Sequence, residues 1–220
     1  MNLTRYGFEN CVGAFFEMST DDARRVLPSH LEPVEIMHGR SVLAALAFQF
    51  TDSEVGAYDE LVLAVITPPR VEDGKALPKA AFFPFMVATS TAASRAHAIE
   101  RWRLPHYMND VDLSFIEDGS RMTVKIEDKG QPVLELSVTD HDFGPAVNAY
   151  HCFTVGDDDR FKVNIFMQAP HSEHENESGE LILHPHPITE GLTLEEVSSY
   201  PFREEWYRAG VQTFEEMESI

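Results

Sequence analysis

The feature that most constrains the fold of this chain is an alternation of apolar and polar residues, which recurs in short segments along most of its length. Such alternation is typical of β-strands with one buried face, because successive side chains of a strand point to opposite faces. Turn sequences such as Glu117-Asp118-Gly119-Ser120 and Asp128-Lys129-Gly130 separate several segments. The pattern predicts strands at about residues 8–17, 33–38, 41–51, 58–67, 81–88, 110–117, 120–127, 131–139, 149–155 and 160–168.

Three segments favour helices instead. The first begins at the capping sequence Ser19-Thr20-Asp21-Asp22 and ends before Pro28. The second runs from about Ser90 to Arg103 and is stopped by Pro105, and the third is predicted from Pro201 to about Met217. Many strands with few helices predict an α+β fold, rich in antiparallel sheet, or a closed barrel. Because an exposed sheet edge invites aggregation, we expect closure or homo-oligomerisation.

The charge of the chain restricts its partners. Its 17 basic and 37 acidic residues give a net charge of −20, so we expect neither nucleic acid nor an anionic membrane as a partner. No apolar run approaches the roughly 20 residues that span a bilayer, and the first residues lack the features of a signal peptide. We therefore expect a cytoplasmic protein with a single domain over residues 1–220. Cys11 and Cys152 lie in apolar, strand-like runs and are predicted to be buried free thiols.

One acidic residue is of special interest because of its position on a predicted strand. Alternation along residues 58–67 places Tyr58 and Glu60 on one face and Asp59 and Leu61 on the other. If the first face points into a barrel, the carboxyl of Glu60 is removed from water, which raises its pKa and suits it to proton transfer. The alternative is an ordinary solvated carboxylate at the end of a strand.

Two segments give the chain a resemblance to a known family. They are Gly56-Ala57-Tyr58-Asp59-Glu60-Leu61-Val62-Leu63 and, after the second predicted helix, Leu104-Pro105-His106-Tyr107. Together they resemble the acetoacetate decarboxylase family. The resemblance implies a β-rich cone or barrel of the acetoacetate decarboxylase-like type with a few peripheral helices. It also implies a small enclosed pocket for an oxo-acid or carbonyl compound, and a homo-oligomer.

The second segment departs from the family at the position of its reactive amine. In the family, a Gly-Arg-Glu-x-x-Gly-x-Pro-Lys-Lys segment supplies a Schiff-base lysine, and in acetoacetate decarboxylase a neighbouring cation helps to activate it. Here His106 follows the proline and Tyr107 comes next. Neither imidazole nor phenol can form the protonated imine that acts as an electron sink. We therefore expect acid/base chemistry of a lyase, hydratase or enolising kind rather than Schiff-base decarboxylation, and no cofactor.

The resemblance also implies roles for individual residues. Glu60 and His106 would be the catalytic proton-transfer groups, since imidazole titrates near neutral pH. The residues that would bind the substrate are Tyr58, Glu100, Arg101 and Tyr107. For His106 the alternative is a turn histidine bonded to the backbone, and for Glu100 it is an acid on a helix surface.

Two other functions stay open. The scaffold could be a non-catalytic module that binds a small ligand. It could also be a metal-dependent enzyme, since His171, His174, His184 and His186 have spacings acceptable for metal ligands. Their segment looks like an exposed loop, so our main prediction includes no metal. Lysine is scarce, and Lys79 is predicted to be a surface loop charge.

Overall fold

The computed structural model describes residues 3–71, 74, 77–156 and 159–220. Within these ranges the strands are β1 (Thr4–Ser19), β2 (Glu35–Met37), β3 (Arg40–Asp52), β4 (Tyr58–Thr67), β5 (Ala80–Thr89), β6 (Asp112–Asp118), β7 (Arg121–Asp128), β8 (Gln131–Thr139), β9 (Gly144–Val155), β10 (Arg160–His174), β11 (Glu180–Leu183), β12 (Arg203–Phe214) and β13 (Glu218–Ser219). The helices are α1 (Thr20–Val26) and α2 (Ala92–Trp102), with 3₁₀ turns at Pro187–Thr189 and Leu194–Glu196. Neither α-helix of the described ranges is long and apolar enough to cross a bilayer.

Seven strands form a closed barrel. β1 pairs with β12 along one edge and with β3 along the other, so the sheet β1-β12-β10-β9-β5-β4-β3 returns to its first strand. Closure gives each of these strands a partner on both sides, which removes the exposed edges. Inward side chains form an apolar inner core that includes Cys11 and Cys152, both of them buried and free.

A four-stranded antiparallel sheet, with the order β11-β8-β7-β6, packs against the outside of the barrel. An outer core lies between the two sheets and includes Val124, Leu136 and the fully buried Trp206. The indole N–H of Trp206 donates to the side-chain oxygen of Asn10 at 3.1 Å, so its polar atom is satisfied. The barrel therefore has a core on each side of its wall.

The structure confirms the predicted β-rich fold class. Each predicted strand corresponds to an observed one, although the strand predicted at 33–38 is reduced to β2, which has three residues. The first two predicted helices are confirmed as α1 and α2. One pair of barrel strands differs from the antiparallel expectation, because β5 and β9 run parallel.

The third predicted helix is wrong, because residues Arg203–Phe214 form strand β12. The helical prediction relied on the interleaving of acidic and aromatic residues. In the structure this interleaving has a period of two: Glu205 and Tyr207 point into the barrel, whereas Glu204 and Trp206 point to the outer core side. β12 forms backbone hydrogen bonds with β1 and β10, and such tertiary context overrides local helix propensity.

Glu204 connects the four-stranded sheet β11-β8-β7-β6, the outer sheet, to the barrel through hydrogen bonds. Its side chain is fully buried. Its carboxylate accepts hydrogen bonds from the backbone N–H groups of Thr139, Ser178 and Gly179 at 2.7, 2.8 and 2.8 Å, and from the Thr139 hydroxyl at 3.1 Å. An ionised carboxylate only accepts hydrogen bonds and offers about four lone-pair sites, so it suits this group of donors.

Substitution of Glu204 by glutamine tests this connection. The amide replaces one accepting oxygen by a donor, which leaves buried N–H groups unpaired at a cost of roughly 1–3 kcal/mol each. We expect E204Q to lower the free energy of unfolding by about 2–4 kcal/mol in urea denaturation. The control is E180Q, at an exposed position of β11, which should change stability by less than about 0.5 kcal/mol. Equal stabilities for E204Q and E180Q would contradict the role of Glu204 in connecting the outer sheet to the barrel.

Candidate functional site

A cavity of about 90 Å³ lies inside the barrel. Its walls are mainly apolar, which is the usual form of a small-molecule site. No lysine, arginine or histidine lines it within the described part of the chain. The side chains that bring oxygen or amide groups to the wall are Glu60, Tyr150, Thr154, Glu205, Tyr207 and Gln212.

Glu60 reaches the cavity from β4. A turn with Gly56 at a φ of 88° leads into this strand, and alternation then places Tyr58, Glu60 and Val62 on the inward side. Burial raises the pKa of Glu60 to about 8, and no neighbouring cation among the described residues opposes the effect. At pH 7 the Glu60 side chain is therefore mostly a neutral carboxylic acid, which can donate a proton.

Glu205 reaches the same cavity from β12 and has a different environment. Its Oε1 atom lies 2.8 Å from the ammonium Nζ of Lys79, and the hydroxyl of Tyr150 donates to its Oε2 at 3.2 Å. Burial raises the pKa of Glu205 above its ordinary value, and the charge and the hydrogen bond of Lys79 oppose this effect only in part. The ion pair with Lys79 stabilises the ionised form of this buried carboxyl group.

A chain of hydrogen bonds continues from Glu205 towards the end of the barrel. The side-chain amide of Asn148 donates to the Tyr207 hydroxyl at 2.7 Å, and the hydroxyls of Tyr207 and Tyr150 are 2.5 Å apart. Because Tyr150 donates to the Glu205 carboxylate, its own oxygen accepts from Tyr207. All the donors of the chain thus point towards Glu205, and their dipoles stabilise its negative charge.

His171 lies beside this chain of hydrogen bonds, near the end of β10. Its segment was predicted as an exposed loop, but it is strand and pairs with β12. The imidazole stacks on Tyr207 with ring centroids 4.0 Å apart, and its Nε2 lies 4.0 Å from Oε2 of Glu205. Burial and the charge of Lys79 lower the pKa of His171 to about 4, so the ring is neutral at pH 7.

The four histidines of the alternative metal cluster are not brought together. The Nε2 atom of His174 donates to the carbonyl oxygen of Thr139 at 2.9 Å. His184 and His186 follow β11 on the outer sheet, and His186 contacts the carboxylate of Asp128 at 3.4 Å. The spacing in sequence therefore does not translate into one site.

A smaller group of potential metal ligands does occur among the described residues. One donor atom each from His171, Glu173 and Glu205 lie within 4.8 Å of one another. The ammonium of Lys79, however, lies 2.8 Å from an oxygen of each carboxylate. The Lys79 ammonium thus already supplies a positive charge to the two carboxylates of this group.

His106 does not line the cavity. Its residue forms a parallel bridge with Val87, and its Nδ1 donates to the carbonyl oxygen of Tyr107 at 2.7 Å. This is the turn arrangement that we gave as the alternative. Burial lowers the pKa of His106. The remaining ring nitrogen, Nε2, is buried and has no hydrogen-bond partner in the part of the chain that the structure describes.

The other predicted substrate-binding residues lie at different places. Tyr58 is in the inner core, on the same side of β4 as Glu60, whereas Tyr107 packs against the outer core. The side chain of Arg101 donates to the hydroxyl of Thr4 at 3.1 Å, and Glu100 is exposed on α2. Of the six predicted site residues, only Glu60 belongs to the described cavity wall.

The sequence did not lead us to predict four residues of this site: Glu205, Tyr150, Tyr207 and Lys79. Interpretation of residues 203–214 as a strand would have placed Glu205 and Tyr207 on one face. No local signal reveals Lys79, because its two carboxylate partners are about 90 and 130 positions further along the chain. Lys79 lies in the loop before β5, as predicted, but its side chain is only 20% exposed and its charge is paired with both carboxylates.

Comparisons with known proteins agree with this architecture. The family model described as acetoacetate decarboxylase (ADC) matches residues 4–149, about two thirds of the chain. The chain belongs to the acetoacetate decarboxylase family. The matched region includes Glu60 and Lys79 but ends before β10 and β12, which carry His171 and Glu205. A search of curated proteins found no sequence match.

Several solved structures show the same fold at low sequence identity. An acetoacetate decarboxylase is 13% identical with a TM-score of 0.68, covering 100% of this chain and 90% of its own. The enzyme from Legionella pneumophila subsp. pneumophila str. Philadelphia 1 is 14% identical with a TM-score of 0.68, covering 98% and 86%. The enduracididine biosynthesis enzyme MppR, complexed with pyruvate, is 15% identical with a TM-score of 0.64, covering 99% and 89%.

The raised pKa of Glu60 predicts a pH dependence of stability. Between the ordinary value of 4.5 and about 8, the folded protein keeps a proton that the unfolded chain has lost. The contribution of the neutral carboxyl is fully present below about pH 4.5 and falls as the pH rises to about 8, by at most about 1.4 kcal/mol per pH unit.

We expect E60Q to remove this contribution, because glutamine does not ionise. The stability of E60Q relative to the unsubstituted protein should increase from pH 4.5 to 8. Urea denaturation at a series of pH values measures the difference, with E100Q on the exposed face of α2 as the control. A difference that is constant with pH would show that Glu60 titrates normally.

Proposed function

We propose that this protein binds a small, uncharged carbonyl compound inside the barrel and that the neutral carboxyl of Glu60 donates a hydrogen bond, and then a proton, to the carbonyl oxygen. The observation that carries the proposal is the position of the Glu60 carboxyl in an apolar cavity wall, where burial raises its pKa to about 8. A general acid needs a pKa near the working pH, and desolvation gives Glu60 such a value. Lyase, hydratase and enolising reactions can all begin with this step.

The lining of the cavity supports acid/base chemistry over Schiff-base chemistry. The resemblance places His106 at the position of the family lysine, and no lysine is among the described lining residues. The amine of Lys79, which is paired with the lining residue Glu205, donates from its Nζ to Glu173 and Glu205. An amine held in this way is an ammonium ion, which has no lone pair to attack a carbonyl group.

The charge of the site favours an uncharged ligand over an oxo-acid anion. A buried carboxylate without a cationic partner is strongly unfavourable, and the described cavity wall offers no cation. Binding of an oxo-acid is the alternative, and the structure of MppR with pyruvate supports it. In this chain a pyruvate carboxylate would have to displace an existing partner of Lys79.

A non-catalytic ligand carrier is the second candidate. It is favoured by the position of His106, which lies outside the described cavity wall and therefore leaves Glu60 without its expected partner. A carrier would bind the same compounds and leave them unchanged. A cytoplasmic location and homo-oligomerisation stay predictions for both candidates.

Trapping with borohydride tests the absence of Schiff-base chemistry. The protein is incubated separately with 2-pentanone, acetoacetate and pyruvate, then reduced, and its intact mass is measured. We expect no stoichiometric adduct with any of the three, because no lysine lines the described cavity wall and Lys79 is held as an ammonium ion by two carboxylates. A stoichiometric adduct that maps to Lys79 would contradict the proposal.

Ligand binding tests the preference for an uncharged carbonyl compound. We expect 2-pentanone to bind at least about tenfold more tightly than pyruvate, since about 1.4 kcal/mol corresponds to tenfold and an unpaired buried charge costs more. Saturation-transfer NMR with competition gives the relative affinities.

Two variants connect the binding to Glu60. Glu60→Gln keeps a donor and should retain the affinity for 2-pentanone, whereas Glu60→Leu should weaken it by about tenfold through loss of one hydrogen bond. Glu100→Leu, at an exposed position of α2, is the matched control. Weaker binding by E100L than by E60L would place the ligand outside the barrel.

A further inference from the structure

We propose that Glu205 is the catalytic base of this site and that the reaction is enolisation: removal of a proton from the carbon next to the carbonyl group, while Glu60 protonates the carbonyl oxygen. The inference rests on the proposed function and narrows it to one class of reaction, the interconversion of a ketone or aldehyde with its enol. It also assigns a catalytic role to β12, a strand outside the region that the family model matches.

The two carboxyl groups enter one cavity from different strands. Glu60 comes from β4 and Glu205 from β12, and both line the same enclosed space. Between β4 and β12 along the sheet lie β3 and β1, so the two strands belong to different parts of the barrel wall. A molecule that fills the cavity therefore meets both groups, which is the arrangement that concerted acid/base catalysis requires.

The two carboxyl groups differ in their partners, because Glu205 is paired with the Lys79 ammonium and Glu60 has no cationic partner among the described residues. The neighbourhood of Glu60 is apolar, which favours the neutral acid. Glu205 has the Lys79 ammonium at 2.8 Å and the Tyr150 hydroxyl at 3.2 Å, which favour the carboxylate. Two carboxyl groups in one site, one in apolar surroundings and the other paired with a cation, are the pattern of an acid and base pair.

The contacts of Glu205 leave it able to accept a proton. A carboxylate has about four lone-pair sites, and Lys79 and Tyr150 use one on each oxygen. The side chain is 6% exposed, so bulk water does not compete for the remaining sites. Lys79, Tyr150 and Tyr207 act as positioning residues: they fix the carboxylate and do not touch the substrate's reacting carbon in this scheme.

The proposed step balances without any further reactant. The Glu205 carboxylate forms an O–H bond with the α-hydrogen, and the electron pair of the broken C–H bond forms the carbon–carbon double bond. The carbonyl π electrons move to oxygen, which takes the proton of Glu60. The products are an enol, a neutral Glu205 and a Glu60 carboxylate. Reversal of the same transfers yields the ketone again.

Exchange of hydrogen for deuterium detects this step even when no net product accumulates. The unsubstituted protein is incubated with 2-pentanone in D₂O, and loss of the C1 and C3 proton signals is followed by NMR, beside saturation-transfer measurements of binding. We expect exchange above the buffer rate, with a preference for one of the two C3 hydrogens. That preference follows because a single base approaches the bound ketone from one side.

Variants at position 205 then test whether Glu205 is the catalytic base. We expect E205Q to bind 2-pentanone but to lower the exchange rate by roughly 10²- to 10⁴-fold, the usual contribution of a general base. E205D keeps a carboxylate but withdraws it by one methylene, so its exchange rate should lie between those of the unsubstituted protein and E205Q. E180Q on the outer sheet is the control and should exchange at the unsubstituted rate.

The possible results separate the two proposals. No binding by the unsubstituted protein would overturn the proposed function, and the enolisation with it. Binding without exchange would overturn enolisation alone and favour a carrier. Exchange that E205Q leaves unchanged would overturn the role of Glu205, and loss of exchange with retained binding would support it. If E205Q does not fold, the intermediate rate of E205D decides the same question.

Discussion

The pairing of β1 with strands on both of its edges is the constraint on which the site depends. Because β1 joins β12 to β3, the sheet closes and its inward side chains lose contact with bulk water. An open sheet would leave Glu60 solvated, with an ordinary pKa. In the closed barrel, burial alone raises that pKa to about 8. The chemistry available to the protein is thus a consequence of its topology.

Strand β12 shows how one strand serves two purposes. Neighbouring residues of a strand point to opposite faces, so Glu204 and Glu205 have different surroundings although they are chemically identical. Glu204 accepts four hydrogen bonds from the outer sheet and the segment before β11, and it holds the two sheets together. Glu205 faces the cavity and is paired with Lys79. Glu204 contributes to the stability of the fold, and we assign a catalytic role to Glu205.

The sequence revealed the parts of the fold and site that local pattern determines. Alternation along residues 58–67 was enough to place Glu60 on the same face as Tyr58, although not to show that this face points inward, and turn sequences marked most strand boundaries. The orientation of His106 was not accessible in this way, because it follows from a bridge to Val87 that forms only in the folded chain. Glu205 was missed because acidic and aromatic residues at 203–214 fit a helix as well as a strand. Lys79 meets partners far away in sequence, so nothing around it distinguishes it from a surface charge.

The reactive group that we assign to this family member is a neutral carboxylic acid and not an amine. Isotope-edited infrared spectroscopy tests this assignment directly, through the difference between the unsubstituted protein and E60Q at pH 7. We expect the carbonyl stretch of a protonated carboxylic acid, absent from E60Q and lost as the pH rises through about 8. A difference spectrum with only carboxylate bands at pH 7 would contradict it.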